Sequence, residues 1–200
     1  MLTALAQIYA SLTPAILAAV VNMVWVRNPW LRRLGPIDGG ATLPDGRRLF
    51  GDNKTWNGLI GVTVLGILAG LLWGWIGHLG PGPANAIGRH NLFLLDHAPT
   101  AGWTALTGGL LGLAYGLFEL PNSFLKRRLD IRPGHTADTR HSWLFVVLDQ
   151  IDSVVGCAIV LALLAPVSVA LFVGIIVVGG VTHLLLNLVL YAVKLRKHPL

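Results

Sequence analysis

Two aspartates interrupt an apolar stretch in the second half of the chain. Residues 148–153 read LDQIDS, and the segments before and after them consist mainly of Val, Leu, Phe and Ala. Asp149 and Asp152 are three residues apart, so they share one face of a helix. A carboxylate at the centre of a membrane helix costs about 2.5–3.5 kcal/mol, and such acids are functional by default. Because Mg²⁺ takes carboxylate and phosphate oxygens together, the pair predicts a metal site. An ion pair with an arginine from a loop is the alternative.

A second polar segment follows the apolar residues 101–118. An acid, two small polar residues and three consecutive cations are typical of a segment that binds phosphate beside a metal. We expect Pro121 to end the preceding helix, which would place these residues in a loop. A plain basic anchor at the membrane surface explains the cations equally well, and the nearby acids favour the phosphate site. The residues concerned are Glu119, Asn122, Ser123, Lys126, Arg127 and Arg128.

The polar residues 27–57 form a connection long enough to suggest a function of its own. Its two Asp-Gly pairs mark turns. Its last part brings Asn53, Lys54 and Thr55 to the start of the next apolar segment. A helix that begins there presents free backbone N–H groups to an anion, so we expect phosphate binding. An interfacial anchor formed by the neighbouring tryptophan and lysine is the alternative.

The elements that must position these residues are strongly apolar. Of the 200 residues, 54% are hydrophobic and 12% are charged, whereas about a quarter of an ordinary soluble domain is charged. This composition excludes a soluble globular enzyme, a disordered chain and a coiled coil. The single cysteine, Cys157, excludes an internal disulfide and a zinc site built from cysteines, and we expect it to be a small core residue. The sequence therefore predicts an integral membrane protein of the all-α class.

Five apolar runs are long enough to cross a bilayer as helices, which takes about 20 residues each. We expect a single membrane domain over residues 1–200, a bundle of about five transmembrane helices with two long cytoplasmic loops. Glycines spaced by four in the second and third runs predict that these two helices pack closely. His183 and Asn187 in the last run are expected to bond a neighbouring helix. The predicted spans are residues 2–26, 58–79, 101–118, 143–165 and 167–193.

The lysines and arginines predict the orientation of the bundle. Fourteen of the 15 lie in residues 27–57, in residues 119–142 or in the C-terminal tail, all on one side of the membrane. By the positive-inside rule this side is cytoplasmic, so we expect the N-terminus outside and the C-terminus inside. The net charge of +6 then follows from membrane orientation, and no nucleic acid partner is needed to explain it.

The three polar segments, taken in order, resemble those of the CDP-archaeol synthases, a membrane family related to the phosphatidate cytidylyltransferases. The matching stretches are GDNKTWNG at 51–58, ELPNSFLKRR at 119–128 and LDQID at 148–152. The resemblance implies a multi-pass enzyme of a prokaryotic cell membrane, with its site facing the cytoplasm. A lipid phosphate, an ether-linked glycerol phosphate with geranylgeranyl chains, would attack the α-phosphorus of CTP. CDP-lipid and pyrophosphate would form, with Mg²⁺ required.

The resemblance also implies roles for individual residues. An acid of the wider cytidylyltransferase signature is missing where Arg132 and Pro133 stand, and Glu119 is the candidate replacement. The implied metal ligands are Asp149, Asp152 and Glu119. The implied catalytic residues are Asp149, Asp152, Lys126 and Lys54. The implied contacts to the nucleotide and its phosphates are Asn53, Lys54, Thr55, Asn122, Ser123, Lys126, Arg127 and Arg128.

Three other functions are alternatives to this one, and the sequence argues against two of them. A phosphatidate cytidylyltransferase would run the same reaction on a diacyl lipid phosphate. A CDP-alcohol phosphotransferase needs Asp-Gly-x-x-Ala-Arg followed by further acids at helical spacing, and here the Asp-Gly pairs lie in a loop without such an array. A small transporter or scaffold would use polar residues across the depth of the membrane, whereas here they crowd to one side.

Overall fold

Five long helices make up most of the computed structural model, which describes residues 2–77, 88–133 and 142–195. Each helix is long and apolar enough to cross a membrane. The described residues contain two isolated β-bridges and no longer strand. The expected all-α bundle of five membrane helices is confirmed. The helices are α1 (Leu2–Trp25), α2 (Trp56–Ile76), α3 (Ala101–Arg128), α4 (Ser142–Leu164) and α5 (Val169–Ala192), and short 3-10 helices cover Leu31–Leu34 and Leu92–Leu94.

Helices α2 and α3 pack closely through glycines. Gly66 and Gly70 of α2 lie against Gly108 and Gly112 of α3, and a methyl group added at Gly70 would lie 2.9 Å from the Cα of Gly108. Membrane helices use small residues at such crossings because these let the two backbones approach. The predicted glycine contact is thus confirmed. It holds α2 against the helix that carries the second polar segment.

The apolar core lies at the end of the bundle away from the basic segments. It combines the first halves of α1, α3 and α5 with the second half of α4 and the 3-10 helix Leu92–Leu94. Phe93, Leu161 and Ile175 are fully buried there. Cys157 lies in the same core, as expected. The polar residues lie at the other end of the bundle.

Helix α3 does not end at Pro121, which lies inside it, so the prediction that this proline stops the helix was wrong. Proline removes one backbone hydrogen bond, and membrane helices tolerate this because neighbouring groups and local adjustment compensate. The helix instead ends in a Schellman motif around Asp130, whose φ is 61°. The N–H of Ile131 donates to the carbonyl of Lys126 at 2.9 Å. The second polar segment is therefore helical, and its side chains project from fixed positions.

A buried carboxylate organises the connection between α1 and α2. The side chain of Asp38 is fully buried and lies 2.5 Å from the guanidinium of Arg48. Three backbone N–H groups also donate to it, those of Gly40, Phe50 and Gly51. Burial alone would raise the pKa of Asp38, but these bonds hold the pKa far below its usual value. Asp38 therefore stays ionised and keeps the connection in one conformation.

Arg128 ties this connection to the end of α3. Its guanidinium donates to the carboxylate of Asp45 at 2.6 Å and to the carbonyl of Arg48 at 2.5 Å. The side chain of Arg47 returns a bond to the carbonyl of Arg128. The backbone N–H of Arg47 and the Arg128 guanidinium lower the pKa of Asp45. The loop that carries Lys54 is thus held in register with α3.

Candidate active site

Asp149 and Asp152 face α3 together, as their spacing predicted. The side-chain amide of Asn122 donates to both, at 2.7 Å to Asp149 and 2.8 Å to Asp152. The ammonium of Lys126 donates to the two oxygens of Asp149 at 2.6 and 2.5 Å. The partner of Asp149 is therefore a lysine of α3, not the loop arginine considered as the alternative.

Glu119 lies one turn before Asn122 and joins the first loop to this cluster. It forms an ion pair with Lys54, and its other oxygen accepts a bond from the hydroxyl of Ser153 at 3.2 Å. Burial alone would lower the pKa of Lys54, but the Glu119 carboxylate outweighs it and the pKa is raised. Lys54 therefore carries its charge in this site.

These side chains surround a cavity of about 330 Å³ between α1, α3, α4 and α5, the polar cavity. A second cavity of about 460 Å³ lies between the first loop and the start of α2. Asn53, Lys54 and Glu119 line both cavities. The Lys54–Glu119 ion pair therefore lies at the junction between the two cavities. Each has a size typical of small-molecule sites, which run from about 300 to 1,000 Å³.

Arg127 lines the polar cavity as a buried charge without a counter-ion. The residue is 7% exposed, and its Nε has no hydrogen-bond acceptor within the described part of the chain. No described carboxylate lies within ion-pair distance of it. Burying an unpaired charge is costly. An anion that entered the cavity beside Arg127 would remove this cost.

A second polar network lies on the wall of the cavity, and the sequence analysis found only part of it. His183 of α5 lies 3.2 Å from the hydroxyl of Tyr115 and 3.2 Å from the carbonyl of Gln150. Asn187 donates to the side-chain oxygen of Gln150 at 2.8 Å. The expected bonding of His183 and Asn187 to neighbouring helices is confirmed. The position of Gln150 beside Asp149 was the signal that could have completed the network.

The chain has relatives of known name along its whole length. The family model of the CarS-like CDP-archaeol synthases matches residues 4–200. The chain belongs to this family. The CDP-archaeol synthase of Thermofilum pendens is 31% identical over 200 residues, which are 100% of this chain and 79% of the relative. That of Methanoculleus marisnigri is 33% identical over 82% of this chain and 89% of its own.

A solved structure agrees with this family assignment. It is described as an intramembrane enzyme for archaeal membrane lipid biosynthesis, and it matches with a TM-score of 0.63 and 26% identity. The match covers 90% of this chain and 91% of that one. The resemblance seen in the sequence is confirmed. So is the expected class, a membrane cytidylyltransferase rather than a transporter or scaffold.

Two of the residues that the family resemblance assigned to phosphate have other partners. The hydroxyl of Thr55 caps α2 by accepting a bond from the N–H of Gly58 at 3.1 Å, which uses one of the free N–H groups expected for an anion. Arg128 is bound to the first loop and does not line the polar cavity. The other six residues do line it. They are Asn53, Lys54, Asn122, Ser123, Lys126 and Arg127.

The aspartate pair offers the carboxylate oxygens that Mg²⁺ prefers as ligands. No group of three His, Cys, Asp or Glu side chains converges on one point within the described residues. The Oδ1 of Asn122, however, is buried without a partner. Rotating the amide by 180° would place this oxygen beside the carboxylates of Asp149 and Asp152. A cation bound between the three groups would stabilise this arrangement. Mg²⁺ is bound by one or two carboxylates and substrate phosphates rather than by a complete protein cage, so these residues fit it.

Proposed function

We propose that this protein transfers CMP from CTP to a lipid phosphate of the diether glycerol phosphate type, for phospholipid biosynthesis. CDP-lipid and pyrophosphate are the products. The observation that carries the proposal is the polar cavity, in which three carboxylates and three cations meet among membrane helices. The name shared by the relatives, CDP-archaeol synthase, supports the choice of lipid. A phosphatidate cytidylyltransferase remains the alternative for the acceptor.

Lys54, Lys126 and Arg127 are the groups that hold the phosphates in this proposal. The two lysines are paired with carboxylates, Lys54 with Glu119 and Lys126 with Asp149. Phosphate oxygens accept charge-assisted bonds of the same kind, so a bound triphosphate competes for these cations. Arg127 has no described partner to give up and therefore gains most from an entering phosphate. Asn53 and Ser123 add polar contacts from the same wall.

Asp149 and Asp152, with the Oδ1 of Asn122, are the proposed magnesium ligands. When bound, the ion neutralises phosphate oxygens and so stabilises the charge that develops during transfer. Lys126 keeps the carboxylate of Asp149 oriented toward the cavity before substrates arrive. Glu119, the third acid implied by the resemblance, is engaged by Lys54 and Ser153. We propose that it positions Lys54 and that metal contact is secondary.

The reaction needs placement more than it needs an activated side chain. The attacking group is a phosphate that is already an anion, so neither a serine nucleophile nor a strong general base is required. The cavity is lined by cations from the first loop and from α3 together with the two aspartates. Such an arrangement would hold the phosphates of the two substrates near each other. The cost of bringing two reactants together is a large part of the barrier in a two-substrate reaction.

We further propose that the polar cavity faces the cytoplasm of a prokaryotic cell membrane. The first loop and the C-terminal segment lie at one end of the bundle, because Arg27 donates to the carbonyl of Leu195 at 2.6 Å. Arg128 brings the end of α3 to the same loop. The described parts of the basic segments therefore cluster at the end that holds the polar cavity, and by the positive-inside rule this supports a cytoplasmic location for that end.

One assay tests the proposed reaction. Purified protein in detergent or liposomes receives Mg²⁺, CTP labelled in the cytidine, and either a diether or a diester lipid phosphate. We expect label in the lipid phase, with the diether preferred. Equal or better use of the diester would favour the phosphatidate alternative. No transfer to any acceptor would overturn the proposal.

A further inference from the structure

An apolar groove extends the polar cavity into the hydrocarbon part of the protein. It has a volume of about 40 Å³ and lies between α1 and α5, with α4 behind it. The groove and the polar cavity adjoin, since both are lined by Ala19, Tyr115, His183 and Leu186. Away from this junction the lining is mainly apolar and includes Leu12, Ile16, Val154 and Cys157.

The polar side chains in the groove wall are already bonded within the protein. The hydroxyl of Thr182 donates to a backbone carbonyl of α5 at 2.8 Å and lies 3.1 Å from the hydroxyl of Tyr9. Tyr115 and His183 contact each other at 3.2 Å. The thiol of Cys157 points to a backbone carbonyl of α3. None of them requires a bond from an occupant, and an apolar cavity of this kind stays dry.

The edge of the groove lies close to the bilayer. Ile16 lines the groove, and the next residue on α1, Leu17, is exposed. Leu186 lines it from α5, and its neighbour Leu185 is exposed as well. An apolar molecule held in the groove therefore has lipid on one side and the phosphate-binding cations on the other.

We propose that the groove holds the first carbons of a hydrocarbon chain of the lipid phosphate, and that Ala19 at the junction limits the width of that chain. This inference rests on the proposed function and specifies its acceptor. A volume of about 40 Å³ accommodates roughly three water-sized groups, so only the start of the chain is enclosed. The remainder leaves between α1 and α5 into the bilayer. A methyl-branched chain needs more width at this point than a straight one.

A matched pair of substitutions on α1 tests the role of Ala19. Ala19→Leu narrows the junction, whereas Val21→Leu adds bulk at a position that is 48% exposed. We expect Ala19→Leu to raise the KM for a methyl-branched diether phosphate by about tenfold, the effect of a misfitting group in an apolar pocket. The KM for a straight-chain diether phosphate should rise less, and Val21→Leu should change neither.

CTP binding and photolabelling complete the test. Because Ala19 also lines the polar cavity, binding of CTP with Mg²⁺ is measured by calorimetry without lipid, which distinguishes an effect on the nucleotide from an effect on the lipid chain. If Ala19→Leu loses CTP binding, the smaller Ala19→Val variant takes its place. A diether phosphate with a photoreactive group near the glycerol should label α1 and α5 at the groove, in competition with unlabelled lipid phosphate.

The outcomes separate the groove from the reaction. Suppose that both variants transfer CMP and that the ratio of KM for the methyl-branched lipid to KM for the straight-chain lipid is the same in the Ala19 variant and in Val21→Leu. This result would overturn the role of Ala19 and leave the proposed reaction intact. Photolabel that avoids the groove would overturn the position of the chain. Labelling of the groove in a protein that transfers no CMP would support the groove and refute the proposed reaction.

Discussion

At the residue scale, two ion pairs of the site are already formed before any substrate is bound. Lys54 forms an ion pair with Glu119, and Lys126 forms an ion pair with Asp149. Substitution of one member leaves the other partly buried without a counter-charge, which can cost more than the pair itself contributes. Loss of activity in a variant of this cluster therefore has to be separated from loss of folding. The two predictions that follow pair each variant with an exposed residue of the same type.

Asp149→Asn and Asp152→Asn each remove one carboxylate of the proposed metal site. We expect kcat to fall by about 10²–10³, the range seen when a preorganised charge is removed from an active site. The measurement is CMP transfer at saturating CTP and lipid phosphate, with thermal unfolding to show that the variant folds. Asp96→Asn changes an exposed acid and should keep full activity. Near-normal turnover of either cavity variant would contradict the metal assignment.

Arg127→Gln should change stability and substrate binding in opposite directions. The free protein is expected to become more stable, because a buried charge without a described partner is removed. CTP affinity should drop by about ten- to a hundredfold, since a bond to a charged group is worth about 1.5–3 kcal/mol. Thermal unfolding and calorimetric titration with CTP measure the two effects. Arg132→Gln, at an exposed position, is the control. A variant that is less stable yet binds CTP normally would show that Arg127 has a structural role only.

At the scale of single elements, the site depends on how α3 is held along its length. Glycines fix its first half against α2, and Arg128 fixes its last turn to the first loop. The residues between these two contacts carry Glu119, Asn122 and Lys126. A shift of α3 against either neighbour would therefore displace the acids and cations relative to each other. This makes the helix crossing and the loop separately testable.

Gly70→Ala should loosen the crossing of α2 and α3. The added methyl group would lie 2.9 Å from the Cα of Gly108, closer than such contacts allow, so the helices must separate. Overpacking of this kind costs about 1–3 kcal/mol, and we expect a lower unfolding temperature in detergent. Gly102→Ala on α3 places its methyl group in open space and should leave stability unchanged. Equal stability of the two variants would mean that the crossing does not need glycine.

The pKa of Asp38 predicts how the first loop responds to acid. Its folded pKa lies below the usual value of 3.8, so its contribution to stability is present above that value and is lost as the pH falls toward the folded pKa. We expect the loop to resist trypsin cleavage after Arg47 and Arg48 at neutral pH, and the conformation to persist at pH 5, measured by hydrogen exchange. Asp38→Asn should make this loop cleavable, while Asp52→Asn, an exposed partner of Arg48, should not. Loss of loop protection already at pH 5 would contradict the assignment.

At the scale of the whole molecule, the bundle divides into an apolar end and a polar end. The apolar core fills the space between the first halves of α1, α3 and α5. The polar cavity, the first loop and the chain just after α5, at Leu195, share the opposite end. In the proposed reaction, this division would let a lipid phosphate keep its chains at membrane depth while its head group meets CTP from the aqueous side. The orientation of the bundle therefore has two possibilities, with the polar end facing either the cytoplasm or the outside.

Cysteine labelling in intact cells or sealed vesicles decides that orientation. Cys157 is buried, so the parent protein should give little background with a membrane-impermeant maleimide. We expect Asp96→Cys to be labelled from outside and Asp45→Cys to be labelled only after the cytoplasmic face is opened. Both positions are exposed in the folded protein. The reverse pattern would place the polar cavity outside and refute the cytoplasmic site.

The sequence by itself determined the class of the molecule and most members of its site. A chain with 54% hydrophobic and 12% charged residues has to bury its apolar runs in a bilayer, because no soluble core could cover them. The three-residue spacing of Asp149 and Asp152 placed both on one helix face, since this follows from local helix geometry alone. The order of the three polar segments identified the family. These properties belong to the chain and need no knowledge of how the helices pack.

Only the tertiary structure decided which polar residues meet. Pro121 was a misleading local signal, because the end of α3 is set by the left-handed conformation of Asp130 and the bonds around it. Thr55 and Arg128 are assigned to a helix cap and a loop contact, whereas Asn122 bridges the two aspartates. The cap at Thr55 and the bonds around Asp130 are local, but the contacts of Arg128 and Asn122 join residues far apart in sequence and depend on helix crossings and loop anchors. No local pattern in the chain encodes these long-range contacts, and they decide which of the expected residues lie together.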